Sequence, residues 1–231
     1  MALFTISDLH LSFGKEKPMD IFGGNWVNYQ TRLYESWQAT VAPTDLVVLP
    51  GDLCWGMSLS ESLPDFQFLH SLNGKKLLLK GNHDYYWTTM KKMQDFLFEN
   101  ELTSIDFLHN DAILYEGVSI TGTRGWFYEE EKGTPDDEKI FKRELLRLET
   151  SLKAGQALGG ELITFLHYPP IFGNYRCTQI LALLFEYGVK KCIYGHLHGA
   201  SRNLAFEGKS GGISYYLVSA DHLDFTPEKI T

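Results

Sequence analysis

Seven side chains with metal-ligand chemistry sit in five short motifs spread over most of the chain. The motifs are Asp8-Leu9-His10, Gly51-Asp52, Gly81-Asn82-His83-Asp84, a lone His167, and Gly195-His196-Leu197-His198. The candidate ligands are Asp8, His10, Asp52, Asn82, His167, His196 and His198, all oxygen or imidazole donors and none a thiolate. Such a set suits hard or borderline divalent ions, with manganese first and iron, zinc or nickel also compatible. Seven donors exceed what one tetrahedral site takes, so the count predicts two ions sharing a bridging carboxylate. Metals paired at roughly 3.5–4 Å clamp the attacking and leaving oxygens of a phosphoryl displacement. Singly, each motif is weak, because an Asp-x-His recurs by chance and a lone histidine is more often structural. Jointly, each at the end of an apolar run, they point to one site.

The elements that must position them are readable from periodicity. Residues 3–6, 45–49, 76–79, 162–166 and 190–194 read as strands. The run 45–49 is continuously apolar, as expected of a strand covered on both faces. Asp8, Asp52, Asn82, His167 and His196 fall just past the C-terminal ends of these strands, where open α/β sheets gather their ligands. Helices are predicted over 25–41, 60–72, 88–99 and 178–187, the first with Trp26, Tyr29, Leu33 and Trp37 on one face. Thr134 and Pro135 supply an N-cap and first helical position for a further helix reaching about residue 154. Close-spaced strands are expected at 105–108, 112–115 and 118–121, and an antiparallel pair at 201–206 and 214–219.

With 231 residues, 44% hydrophobic, the chain can bury one sizeable core and is expected to form a single domain over 1–231. A net charge of -8 disfavours a general binder of long nucleic acid. The three cysteines, odd in number and without a CxxC pair, predict reduced thiols and a cytoplasmic location. The segment 1–6 lacks the basic flank of a signal peptide, and no run approaches the ~18 apolar residues of a transmembrane span.

In this order and spacing the motifs resemble the calcineurin-like metallophosphoesterase superfamily, whose pattern is Asp-x-His, Gly-Asp, Gly-Asn-His-Asp/Glu, a lone His and Gly-His-x-His. The resemblance runs from residue 8 to residue 198. It implies an α/β fold of two facing mixed β-sheets flanked by helices, with the metal site at strand C-terminal ends. It implies that Asp8, His10 and His198 hold one ion and Asn82, His167 and His196 the other. Asp52 would then bridge, and His83 would not ligate. The implied activity is dinuclear metal-dependent hydrolysis of a phosphoric ester by hydroxide formed from a water between the ions. His83, beside Asn82, is the expected general acid for the leaving alkoxide. Asp84 either orients His83 or hydrogen-bonds the backbone. One departure matters: phosphoprotein phosphatases of this superfamily extend Gly-Asp to Gly-Asp-x-x-Asp-Arg-Gly, and their second Asp supports the acid histidine. Here Trp55 stands at that position. The chain therefore reads as a small bacterial-type phosphoesterase outside that branch, and the partner of His83 is open.

Substrate-facing candidates follow. Arg124, glycine-flanked after a predicted strand, suits a bidentate grip on phosphate. Trp126 heads an aromatic group with Phe127 and Tyr128, and Asn174, Tyr175 and Arg176 form another candidate wall. Residues 123–160 are a candidate lid and 19–28 the opposite wall, while Cys54 and Trp55 are expected to pack beside Asp52. The acidic runs 129–131 and 136–138 read as a solvated loop and a helix start. The expected substrate is a small phosphomonoester or phosphodiester; a pyrophosphate bond in a nucleotide conjugate or lipid precursor is the alternative. A nuclease is disfavoured by charge, and a non-catalytic scaffold by the intact ligand set and His83.

Overall fold

The computed structural model describes residues 1–127 and 133–231. The expected Tyr128 and acidic run 129–131 lie outside those residues. In chain order the first half comprises β1 (Leu3–Thr5), α1 (Tyr29–Thr40), β2 (Leu46–Leu49), α2 (Leu59–Ser71), β3 (Lys75–Leu78), α3 (Met90–Glu99) and β4 (Ile105–Phe107). Then come β5 (Ala112–Tyr115), β6 (Val118–Thr123), α4 (Pro135–Leu158), β7 (Glu161–Leu166) and the hairpin β8 (Ile171–Phe172) and β9 (Tyr175–Arg176). The chain closes with α5 (Thr178–Glu186), β10 (Lys191–Tyr194), β11 (Gly208–Ser210), β12 (Ile213–Leu217) and β13 (Glu228–Lys229).

The strands build two mixed sheets. The first runs β13-β1-β2-β3-β4, parallel apart from the β13 edge. The second runs β11-β12-β10-β7-β6-β5, with a parallel centre and antiparallel edges. Three apolar clusters fill the spaces of a four-layer stack. Leu3, Val48, Leu77, Ile163, Phe165 and Ile193 pack between the sheets. Trp37, Phe66 and Phe96 pack α1, α2 and α3 onto the first sheet. Leu148, Leu152 and Leu184 pack α4 and α5 onto the second. The twofold strand period sorts each apolar run between two clusters: in β2, Leu46 and Val48 meet the other sheet while Val47 and Leu49 meet helices. This is why the run shows no polar alternation.

Three expectations needed revision. The helix expected over 25–41 is broken: Gly24–Trp26 is a 3-10 turn, Asn28 is left-handed with φ 52°, and α1 starts at Tyr29. Trp26, Tyr29, Leu33 and Trp37 are nevertheless all buried. The strand expected at 201–206 is a 3-10 segment, Gly199–Leu204. Asp221 holds it in that form, its carboxylate accepting from Gly199 N at 2.7 Å and its carbonyl from Arg202 Nη1 at 2.5 Å. β11 takes the edge instead, so β12 runs parallel to β10 and antiparallel only to β11. Finally, most of the candidate lid 123–160 is α4, which with α5 covers the second sheet and has Phe141, Leu148 and Leu152 buried. Thr134 and Asp137 form a capping box at its start, with Pro135 in the first position. No described helix is long and apolar enough to cross a membrane.

Candidate metal centre

The candidate ligands lie where the C-terminal ends of the two sheets meet. Loops after the neighbouring strands β1, β2 and β3 carry Asp8 and His10, Asp52, and Asn82; loops after β7 and β10 carry His167, and His196 with His198. The sheets are tied there by backbone: Ser7 N donates to Val218 O at 2.8 Å and Ala220 N to Ser7 O at 2.8 Å.

Local backbone is strained at four of these ligands. Asp8, His10, Asp52 and His196 have φ of 55°, 45°, 55° and 69°, a left-handed region that non-glycine residues visit rarely and that clusters at functional sites. Glycines make the room. A β-carbon on Gly81 would lie 2.1 Å from Asp52 Oδ1, and one on Gly195 would lie 2.4 Å from Asp8 Oδ2.

In Asp8 and Asp52, one carboxylate oxygen accepts hydrogen bonds and the other has none among the described residues. Asp8 Oδ2 accepts from Ser7 Oγ (2.5 Å), His196 N (2.8 Å) and Ser219 Oγ (3.1 Å). Asp52 Oδ1 accepts from His83 N at 2.8 Å. Asp8 Oδ1, Asp52 Oδ2 and both ring nitrogens of His10 are buried without a hydrogen-bond partner among the described residues. Unpartnered buried polar atoms each cost about 1–3 kcal/mol, so this concentration of them calls for a further partner. Asp8, His10 and His198 bring ligand atoms within 4.8 Å of one another, as do Asp8, Asp52 and His167. Asn82 Oδ1 lies 2.6 Å from His167 Nε2 and 2.9 Å from His196 Nδ1. His167 Nδ1 lies 3.0 Å from Pro50 O, which aims Nε2 inward in the way ligating histidines are oriented. Asp52 Oδ2 stands between the two groups, 3.9 Å from His10 Nε2 and 3.5 Å from His167 Nε2. The residues thus fit a pair of divalent cations.

Charge points the same way. Burial first, then neighbouring imidazoles, pushes His10 well below the usual histidine range. Burial likewise lowers His167 to about 3 and His196 to about 4. Neutral rings with free lone pairs are the metal-binding form. Burial, then the carboxylates of Asp8 and Asp84, pushes Asp52 well above the usual carboxylate range. A cation between these carboxylates would relieve that repulsion.

His83 is half-buried, its Nδ1 3.3 Å from Tyr85 OH. Burial first, then Lys17 and His198, lowers its affinity for a proton. Asp84 does not hydrogen-bond it. The Asp84 carboxylate instead accepts from Gly81 N (2.6 Å), Asp52 N (2.9 Å) and Leu53 N (2.9 Å), the second of the two roles expected for it. Trp55 stacks on His10 at 4.8 Å and lies 4.7 Å from His83, with Lys17 Nζ 3.0 Å above its ring. A cleft of about 460 Å³ opens there, lined by Lys15, Lys17, Met19, Trp55, Met57, His83, Tyr85 and His198. Buried Asp65 anchors the loop carrying the two lysines through Phe13 N at 2.7 Å.

The other substrate candidates are dispersed. Arg124 lies beside His167, its carbonyl accepting from His167 N at 3.2 Å. Trp126 packs on the core beneath α4 and α5. Phe127 stacks on Tyr175 at 4.8 Å and lies 6.1 Å from Tyr168, whose ring is 4.3 Å from His196. Asn174 is exposed between β8 and β9 and does not line the cleft. Of the segment 19–28, Met19 lines the cleft and Trp26 packs 6.0 Å from His10. Sequence reasoning missed Lys15, Lys17 and Tyr85 as cleft residues, and their only signal was closeness in sequence to His10 and His83.

A profile of the calcineurin-like phosphoesterase family matches residues 1–200. No curated protein matches the sequence. Among solved structures, the phosphopantetheinyl hydrolase PptH of Mycobacterium tuberculosis is similar at TM-score 0.54 and 13% identity, covering 99% of this chain and 95% of that one. The protein TT1561 of Thermus thermophilus is similar at TM-score 0.55 and 12% identity, covering 99% and 97%. At these identities the likeness is one of fold.

Proposed function

The chain belongs to the calcineurin-like phosphoesterase family, and from that premise we propose that it hydrolyses a small phosphate monoester or diester at a dinuclear metal centre. Asp8, His10 and His198 would hold one ion, Asn82, His167 and His196 the other, and Asp52 both. The observation that carries this reading is the set of unpartnered buried donor atoms on Asp8, His10 and Asp52, beside the Asn82, His167 and His196 cluster. When bound, paired divalent ions supply an acidified water and offset charge on the phosphoryl oxygens. The chain's residues do the rest. The strained loops hold the donors in place, so little reorganisation accompanies reaction. His83 acts as the imidazolium: its Nδ1–H donates toward Tyr85 OH, and its Nε2 proton goes to the departing alkoxide oxygen, leaving the neutral ring. Asp84 is a positioning residue, fixing the backbone around Asp52 and Gly81. Lys15 and Lys17 attract the anionic ester, and Met19, Trp55 and Met57 face its organic part. That apolar wall also supports a second reading, a pyrophosphate bond in a conjugate with an aromatic or acyl body.

The test is metal analysis of the purified protein, paired with hydrolysis of mono- and bis-p-nitrophenyl phosphate with and without manganese. Two ions per chain and manganese-dependent release are expected, and the diester-to-monoester ratio ranks the substrate classes. Absence of metal, or no release from either ester, overturns the proposal.

A further inference from the structure

A second cavity, of about 130 Å³, lies along the same edge of the strands, lined by Lys80, His109, Arg124, Glu144 and Arg147 among others. Lys80 follows β3, His109 follows β4 and Arg124 follows β6, while Glu144 and Arg147 come from α4. It adjoins the metal centre on two sides. Lys80 immediately precedes the Gly81-Asn82 turn, and the Arg124 carbonyl accepts from His167 N at 3.2 Å and Tyr168 N at 3.0 Å.

Its charge is out of keeping with the protein. The chain carries a net charge of -8, yet this cavity gathers three basic side chains, Lys80, Arg124 and Arg147, against one acid. That acid is largely occupied: Glu144 is buried, one oxygen accepting from Gly125 N at 2.7 Å and the other lying 3.5 Å from Arg147 Nη1. Among the described residues, the side chains of Lys80 and Arg124 make no hydrogen bond or ion pair. Lys80 is nevertheless within electrostatic range of Arg124, Arg147 and Glu144, and His109 of Arg147, Glu144 and Lys80. Like charges held together in a partly desolvated space repel unless an anion joins them. The size suits a small anion, since 130 Å³ corresponds to about four waters at ~30 Å³ each, enough for one phosphate-sized group.

We propose that this cavity is a phosphate-binding subsite, placed to hold a second phosphate group of a substrate whose first phosphate is hydrolysed at the metal centre. The preferred substrates are then short bisphosphorylated molecules. This rests on the phosphoesterase reading of the neighbouring centre, whereas the anion site itself does not. Arg124 and Arg147 supply paired N–H donors that match phosphate oxygens, and Lys80 a point charge.

The first arm of the test titrates inorganic phosphate into metal-stripped protein by calorimetry, which needs no hydrolysis. One phosphate should bind, and Arg124→Gln and Arg147→Gln should each weaken it about tenfold or more. No binding, or binding that neither variant changes in protein shown by circular dichroism to be folded, overturns the proposal. The second arm compares propane-1,3-diol bisphosphate with propyl phosphate on manganese-loaded enzyme. A kcat/KM ratio of about ten or more, collapsing in Arg147→Gln, assigns the subsite to substrate. Phosphate binding without that preference retains the anion site and assigns it to free phosphate. Failure to hydrolyse either ester refutes the phosphoesterase reading and leaves the first arm standing.

Discussion

Replacing Gly81 by alanine is a purely steric test of where Asp52 sits. Gly81 does not have positive φ, so alanine can adopt its backbone conformation. Its β-carbon would lie 2.1 Å from Asp52 Oδ1 and 2.4 Å from Asp52 N, inside the 3.0 Å that real contacts respect. Asp52 cannot simply swing aside, because Oδ1 accepts from His83 N at 2.8 Å and its own N–H donates to Asp84 at 2.9 Å. The carboxylate must therefore retreat by roughly 1 Å, a misplacement that costs about 10²-fold in rate, or ~2.7 kcal/mol of transition-state stabilisation. Overpacking costs a further ~1–3 kcal/mol of stability, and at about 2–4 °C per kcal/mol for a chain of this length Tm should fall by roughly 2–12 °C. Metal content by mass spectrometry should drop below two ions per chain. Gly24→Ala is the control, since a β-carbon there meets nothing within 4 Å. Wild-type metal content and turnover in Gly81→Ala would refute the placement of Asp52 against this turn and, with it, the arrangement of the centre.

His83→Ala should lower kcat by about 10²–10⁴-fold with metal content unchanged; wild-type turnover would remove the general-acid role. Stripping the metals should lower Tm, since a ligand at 1,000 times its Kd adds about 4 kcal/mol; equal melts with and without chelator would show that the seam does not depend on metal. Lys76 is buried, its ammonium donating to Leu72 O (2.5 Å), Gly74 O (2.9 Å) and Ser104 Oγ (3.0 Å) below α2. Lys76→Met should cost about 2–4 kcal/mol by leaving those acceptors unpaired, read from chemical denaturation. Burial pushes Lys76 down to about 8, against ~10.4 when unfolded. Between those values the unfolded state binds more protons, so this residue's contribution to stability rises with pH there. In melts between pH 8 and 10 the wild type should therefore gain stability relative to Lys76→Met, and identical pH dependence in the two proteins would contradict it.

How far the sequence reached follows from what its patterns measure. The five strands bearing ligands were legible because each apolar run is short and ends in a polar motif. The arrangement in two sheets came from family resemblance, because strand spacing does not say which sheet a strand joins. Long-range polar pairs were invisible. Asp84 is committed to the backbone of Asp52 and Leu53, more than thirty residues away, and Asp221 dictates the form of Gly199–Leu204. Neither partnership leaves a periodic trace. Trp126 illustrates the opposite ambiguity: an aromatic beside a candidate anion site reads the same whether it faces substrate or, as here, packs on the core.

The division of ligands between the sheets explains why the motifs are so far apart in sequence. Asp8, His10, Asp52 and Asn82 follow strands of the first sheet, whereas His167, His196 and His198 follow strands of the second. Each proposed ion draws on both: Asp8 and His10 with His198, and Asn82 with His167 and His196. A centre so built forms only when the two sheets meet at the correct height and offset. Apolar packing between the sheets is non-directional and does not fix that offset alone. The directional contacts at the seam do, namely the Ser7 bonds to Val218 and Ala220 and the His196 N–H to Asp8. The left-handed residues and their glycines are the local cost of turning each chain toward that seam, and the global packing that sustains them also preorganises the donors. Fold stability and catalytic geometry thus rest on the same few loops, so the substitutions that damage one, beginning with Gly81→Ala, should damage the other.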